Sequence, residues 1–267
     1  MIMNFSKINM YRKLLPFLLL LPIMVSCGNS GDKGPTAAER REAMNQKYID
    51  QLTTEQNTLH VTDSLIQAII PRINEVTSVS FDYVKSEYDD LGRFVPKGMA
   101  TEDNVQRTYL HCAVDEYGQT QLISTYCGSK LEHTQLRITA GDGTTVTTDA
   151  IPYNDGSNYR YTIDGTNYES VTFTAGRKTG SDQVNADTDG GTFSFIAAHA
   201  DDAKLYGTLL GGKKEVRVAI SAKERAGLAA CYELGVLLRD KLRLEQENKT
   251  AAGKIQYLQE VIAKKGL

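Results

Sequence analysis

The chain has 267 residues, of which 41% are hydrophobic and 24% charged, with a formal net charge of −3. That is enough length and apolar content for a buried core, which excludes a disordered chain. The mild acidity is spread along the sequence and leaves no basic patch, so nucleic acid is not expected as a partner.

The first 26 residues carry the positive charges Lys7, Arg12 and Lys13, followed by an apolar stretch from Leu14 to Val25 interrupted by Pro16 and Pro22. A basic segment followed by a short apolar one reads as a secretory signal. About a dozen apolar residues fall short of the roughly 20 that a membrane-crossing helix needs. The stretch ends in Met24, Val25, Ser26 and Cys27, which resembles the lipobox of bacterial lipoproteins, with Met24 where leucine is usual. The resemblance implies cleavage before Cys27 and acylation of its thiol, so that the partner of the mature chain is a lipid bilayer. Loss of residues 1–26 removes three positive charges and no negative one, taking the net charge from −3 to −6.

Residues 28–35 (Gly28, Asn29, Ser30, Gly31, Asp32, Lys33, Gly34, Pro35) have too little apolar area to fold and read with Cys27 as a tether. From Thr36 to residue 77 the residues Tyr48, Leu52, Leu59, Ile66, Ile69, Ile73 and Val76 recur at steps of three and four, with Glu55 and Thr62 as polar gaps. This predicts one amphipathic helix. Thr36 and Glu39 form a capping box at its start, and Pro71 should kink or restart it.

Residues 78–220 alternate in short runs between turn signals: Tyr117-Gly118, Asp142-Gly143, Asp155-Gly156, Asp164-Gly165, Gly190-Gly191 and Gly211-Gly212. Strands are expected near 79–88, 106–114, 120–127, 134–139, 158–163, 167–174, 192–197, 204–209 and 214–220. So many short strands imply an antiparallel β-sandwich or barrel-like module. From Ser221 to 267 a second helix is expected, capped by Ser221 with Glu224 and carrying Leu228, Cys231, Leu234, Leu238, Leu242, Ile255, Leu258 and Ile262 on one stripe. The fold class is therefore α+β, the β module being inserted between two long terminal helices that pair as an antiparallel coiled coil.

Cys112, Cys127 and Cys231 follow Cys27. With Tyr117 and Gly118 as a hairpin tip, Cys112 falls opposite Ile123 and four residues from Cys127, too far for a bridge, and three buried thiols are the expectation. The four histidines lack the spacing of a metal pair. Asn185, Asp187, Asp189 and Gly190 match the first half of a calcium loop, but Ile196 stands where the closing glutamate belongs, which makes calcium the weakly indicated cofactor. Tyr153, Tyr159, Tyr161 and Tyr168 cluster on one predicted hairpin and offer ring faces to a sugar or a peptide. No phosphate loop or nucleophile elbow is present.

The layout as a whole resembles the cell-envelope lipoproteins of Bacteroides-type bacteria. In such proteins an acidic run after the cysteine accompanies surface display. Its absence here implies an outer-membrane position facing the periplasm ahead of the cell surface. Two functions follow as expectations: a non-enzymatic binding or scaffolding lipoprotein for a protein or glycan partner, and, as the alternative, a hydrolase of envelope or extracellular polymers with a site in the β-domain loops.

Overall fold

The structure, a computed structural model, describes residues 34–85, 91–99, 106–153, 155–176 and 187–266. The predicted leader, Cys27, most of the tether and Asn185 lie outside these residues. The chain forms α1 (Ala37–Ser80), β1 (Phe81–Lys85), β2 (Gly92–Pro96), β3 (Tyr109–Asp115), β4 (Thr120–Cys127), β5 (Gln135–Thr139), β6 (Thr145–Thr147), β7 (Asn158–Ile163) and β8 (Thr166–Ala175). Then come α2 (Thr192–Ala198), β9 (Tyr206–Leu210), β10 (Glu215–Ala219) and α3 (Ala222–Lys265).

Both predicted capping boxes form. The Glu39 amide donates to Thr36 Oγ1 at 3.3 Å and the Thr36 amide to Glu39 Oε2 at 2.6 Å. At α3, the Glu224 amide donates to Ser221 Oγ at 3.2 Å and the Ser221 amide to Glu224 Oε2 at 2.7 Å. Each reciprocal pair satisfies amides that the first turn leaves free.

Pro71 does not restart α1, which continues as one helix to Ser80. Contacts on the far side of the proline hold the last turns: Val76 is buried in the core, and Arg72 Nη2 meets Glu233 Oε1 of α3 at 2.6 Å. The sheltered positions of α1 include Tyr48, Leu52, Glu55, Leu59, Thr62, Ile66, Ile69, Ile73 and Val76, at alternating steps of four and three, with Asn45, Thr58, Leu65, Ile70, Arg72, Thr77 and Ser80 half-buried as well. Of these only Thr62 and Val76 are fully buried.

Further contacts join α1 to α3: Asn248 Nδ2 to Thr62 Oγ1 at 3.1 Å and to Asp63 Oδ1 at 2.7 Å, Lys254 Nζ to Glu55 Oε1 at 2.8 Å, and Lys265 Nζ over the Tyr48 ring at 4.7 Å. Partners advance along α3 as α1 is followed backwards, so the two helices run antiparallel. In α3 the buried Leu244, Ala251 and Leu258 lie seven residues apart, with Asn248 and Ile255 half-buried between them and Ile262 half-buried after them. Leu242, placed on the stripe by periodicity, is only half-buried, and Leu244 takes the inward position.

The strands make two antiparallel sheets, ordered β1-β2-β3-β4-β8-β7 and β10-β9-β5-β6. Each sheet ends in free edges among the described residues, so neither closes into a barrel. β2 and β6 were not expected, and 192–197, expected as a strand, is the helix α2. The reason is local. Gly190 and Gly191 both adopt positive φ (57° and 81°) and lead into a helix rather than a hairpin, while Asp189 Oδ2 accepts the Phe193 amide at 3.2 Å. Burial then falls on Thr192, Phe193, Ile196 and Ala197, a helical spacing.

One hydrophobic core draws on both sheets and on all three helices, α1 through Val76. It contains Leu110, Cys112, Leu122, Val171 and Phe173 from the larger sheet and Leu136, Ile138, Leu209 and Val218 from the smaller. Phe193 and Ile196 of α2 and Leu228, Cys231 and Leu234 of α3 complete it. Each fully buried side chain of this size contributes roughly 1.5–3 kcal/mol.

The β3–β4 hairpin departs from the expected register. Its loop holds three residues, with Gly118 at φ 78° and the Asp115 amide bonded to the Gln119 carbonyl, so Cys112 pairs with Leu122 and His111 with Ile123. The hairpin seats directly on α3: a Cβ on Gly118 would stand 2.7 Å from the Gly235 carbonyl, and a Cβ on Gly235 would stand 2.5 Å from Thr120 Cγ2. Cys112 and Cys127 therefore point to opposite faces of the sheet, while Cys112 faces α3. Cys112 and Cys231 are buried and Cys127 is half-buried.

Candidate functional site

The tyrosine group separates. β7 and β8 turn through Asp164 and Gly165, both at positive φ (49° and 77°), as a two-residue hairpin requires. The pairing sets Tyr161 opposite Tyr168, with ring centroids 5.1 Å apart and planes 11° off parallel. Tyr159, two residues earlier on the same face, lies 5.7 Å from Tyr161. Tyr153 belongs to the other face, where the Arg160 guanidinium sits over its ring at 4.0 Å. Alternation along β7 explains the split, since Arg160 points away from its neighbours Tyr159 and Tyr161. The single four-tyrosine patch expected from sequence is thus a ribbon of three plus one ring on the reverse side. Exposure falls along the ribbon, from 40% at Tyr159 to 5% at Tyr168.

The same sheet face continues through β8, β4 and β3 with Ser170, Thr125 and His111. Ser170 Oγ, Thr125 Oγ1 and His111 Nε2 are enclosed with no hydrogen-bond partner among the described residues. Burial lowers the His111 imidazole to about 4, so it is neutral at pH 7. Of this face only the Tyr159 end is exposed, since Tyr168, Ser170 and Thr125 are buried. Periodicity alone had missed these three residues, because their place beside the tyrosines depends on strand register.

The opposite face of the same strands carries an arrangement the sequence did not suggest. Ser124 Oγ lies 2.9 Å from His133 Nε2, and His133 Nδ1 lies 3.5 Å from Glu169 Oε2. A serine, an imidazole and a carboxylate in this order are the elements of an acyl-transfer triad. Here they are sealed: Ser124 is 0%, His133 1% and Glu169 4% exposed. The Glu169 carboxylate is also held by amides, from Leu131 at 2.8 Å and Glu132 at 2.7 Å, and by Arg160 Nε at 3.3 Å. Glu132 takes φ 58° to turn the loop around it. Burial pushes the carboxyl up, but His133, the two amides and Arg160 outweigh it and hold Glu169 at about 2. The loop is an anion nest filled by the chain's own carboxylate, and with Ser124 enclosed a substrate carbonyl has no approach to it.

An open cavity of about 480 Å³ lies between 139–143, 203–206 and 217–220. Its charged groups are engaged locally: the Arg217 guanidinium stacks 3.5 Å from the Tyr206 ring centroid, and Asp202 accepts the amides of Gly141 and Lys204. Of the calcium-loop residues, Asp189 is buried against the start of α2 and Asp187, two residues earlier, is exposed, while Ile196 is fully buried in the core. Burial raises the Asp189 carboxyl and the Phe193 and Gly191 amides oppose that rise. This carboxylate therefore serves to start a helix. No group of three or more candidate metal ligands occurs among the described residues.

No protein-family model matches the chain, and no curated protein is similar to it in sequence.

Proposed function

We propose that this chain is an envelope lipoprotein, acylated at Cys27 and resident in the outer membrane facing the periplasm, that binds or scaffolds a protein or glycan partner. In this reading the two sheets pack as a sandwich, and α1 and α3 pair as an antiparallel coiled coil. At 1.5 Å per residue a 44-residue helix extends roughly 65 Å. The partner surface centres on Tyr159 and Tyr161 of the edge strand β7, backed by the buried Tyr168 of β8, with Tyr153 and Arg160 on the reverse.

The observation that carries the reading is the direction in which the chemistry points. Tyr159 reaches the surface at a sheet edge with Tyr161 half-buried beside it, while Ser124, His133 and Glu169 are turned into the core. The same triad-like contacts are what favour the hydrolase reading, so one experiment addresses both. The protein is isolated from the membranes of its native host, treated with a fluorophosphonate probe and mapped by mass spectrometry. An acylated amino-terminal Cys27 and an unlabelled Ser124 are expected. An unmodified Cys27 or an uncut leader overturns the anchor, and a phosphonylated Ser124 replaces the binding reading with the hydrolase.

A further inference from the structure

Cys112 of β3 and Cys231 of α3, separated by 119 positions in the chain, bring their sulfurs to 2.9 Å, and each is 0% exposed. That is less than an ångström beyond the roughly 2.05 Å of a disulfide bond. Met99 Sδ lies 3.6 Å from Cys112 Sγ, which makes a three-sulfur group. Two thiolates sharing a metal at about 2.3 Å stand roughly 4 Å apart, wider than this pair. Cys127 takes no part, since it faces the other side of the sheet beside Tyr168.

We propose that Cys112 and Cys231 form a structural disulfide that ties the β3–β4 hairpin to the first half of α3. The reaction requires a disulfide oxidant such as oxidised glutathione. One cysteine thiolate attacks it, giving a mixed disulfide and releasing one glutathione thiol. The second thiolate then displaces the second glutathione, so that two thiol protons and two electrons leave the protein and one S–S bond forms. Burial, reinforced by the neighbouring Cys112, pushes the Cys231 thiol up in the closed core, so the attacking thiolate is available while the chain is still folding. Once α3 seats on Gly118 and Thr120, the bridge is shut away from soluble reductants. An oxidising compartment is required, and the inference rests on the envelope location proposed above in that respect only.

The full-length Cys27→Ser chain, purified in detergent, is unfolded in urea with reductant and refolded either with oxidised glutathione or under reductant. Thiols are then counted in denaturant with a maleimide mass tag. Refolding with oxidant should lower the count from three to one, with Cys127 labelled and a Cys112–Cys231 crosslink in the peptide map. Its urea midpoint should exceed that of the reduced protein, and Cys231→Ala should abolish the difference. Cys127→Ala should form the same crosslink and carry no label. Three labels on an oxidant-refolded protein with native circular dichroism, glutathione on both cysteines, or a bridge to Cys127 would overturn the pairing. Protein trapped with iodoacetamide in its native membrane should carry the same crosslink. Its absence there, with the bridge formed on refolding, removes the envelope location and the bridge's place in the cell while leaving the geometry intact.

Discussion

The helices α1 and α3, the stalk of the proposed reading, and the two sheets, its head, both place charged groups beside one another, but in different media. Between α1 and α3, Lys254 and Glu55 meet at 2.8 Å with their side chains 55% and 18% exposed, and Arg72 and Glu233 meet at 2.6 Å at 39% and 37%. In the head, the side chains of Glu169 and His133 are 5% and 0% exposed. Water screens the first set, so each pair contributes about 0–1 kcal/mol and serves mainly to align the helices. The second set has lost its hydration, and each hydrogen bond it makes replaces one that water no longer supplies. The same residue types therefore align one region and hold the other together.

Glu169→Ala should give the largest effect. It leaves the Leu131 and Glu132 amides and the Arg160 guanidinium without their acceptor in a closed site. Removing one member of a buried ionic network costs about 3–5 kcal/mol, readable as a fall in the urea midpoint. The contrast between head and stalk breaks if the loss is below about 1 kcal/mol, the scale of the exposed pairs. In the wild type this contribution is complete above the ordinary glutamate value of 4.5. It fades as pH falls through about 2, because the folded state binds that proton late.

His111 sharpens the comparison with a milder perturbation. Its imidazole is held at about 4 against an ordinary 6.5, so the unfolded chain takes up the proton first as pH falls. Stability from this group is full above 6.5 and is lost progressively down to 4, on the order of 3 kcal/mol at most. Urea midpoints measured between pH 7 and pH 4 should decline less steeply in His111→Asn than in the wild type. Parallel declines would show that the imidazole is hydrated and that this face of the sheet is as wet as the stalk.

These groups differ in how far the chain announces them. The two long helices were legible because their repeat of three and four is local: Glu55 and Thr62 stand out as polar gaps, and each has a polar partner on α3, Lys254 and Asn248. Most strands were legible for the same reason, their alternation and their Gly-containing turns being short-range. What failed did so through register or competing local structure. One extra loop residue before Gly118 changed every partner of Cys112's strand, and positive φ at two successive glycines started α2 where a hairpin was expected. Ser124, His133 and Glu169 lie on β4, in the loop before β5 and on β8, so nothing short of the strand pairing brings them together. The approach of Cys112 to Cys231 is hidden for that reason too.

The smallest effect tests what the stalk's polar layer is for. Thr62 is 3% exposed and accepts from Asn248, but its hydroxyl also donates to the Thr58 carbonyl at 2.9 Å within its own helix. Asn248→Leu therefore leaves no buried donor or acceptor stranded, and it places an apolar side chain level with the seam. A small gain, up to about 1 kcal/mol, is expected in the urea midpoint. The cost should appear in specificity, because a single polar layer penalises every alignment that would set Asn248 against an apolar residue. With spin labels at positions 55 and 254, distances in the wild type should form one population, and in Asn248→Leu a second population shifted along the helices. A destabilised variant with one sharp distance would mean that the Thr62–Asn248 layer is as dry as the Glu169 site, and that the stalk is held together by its polar groups as the head is.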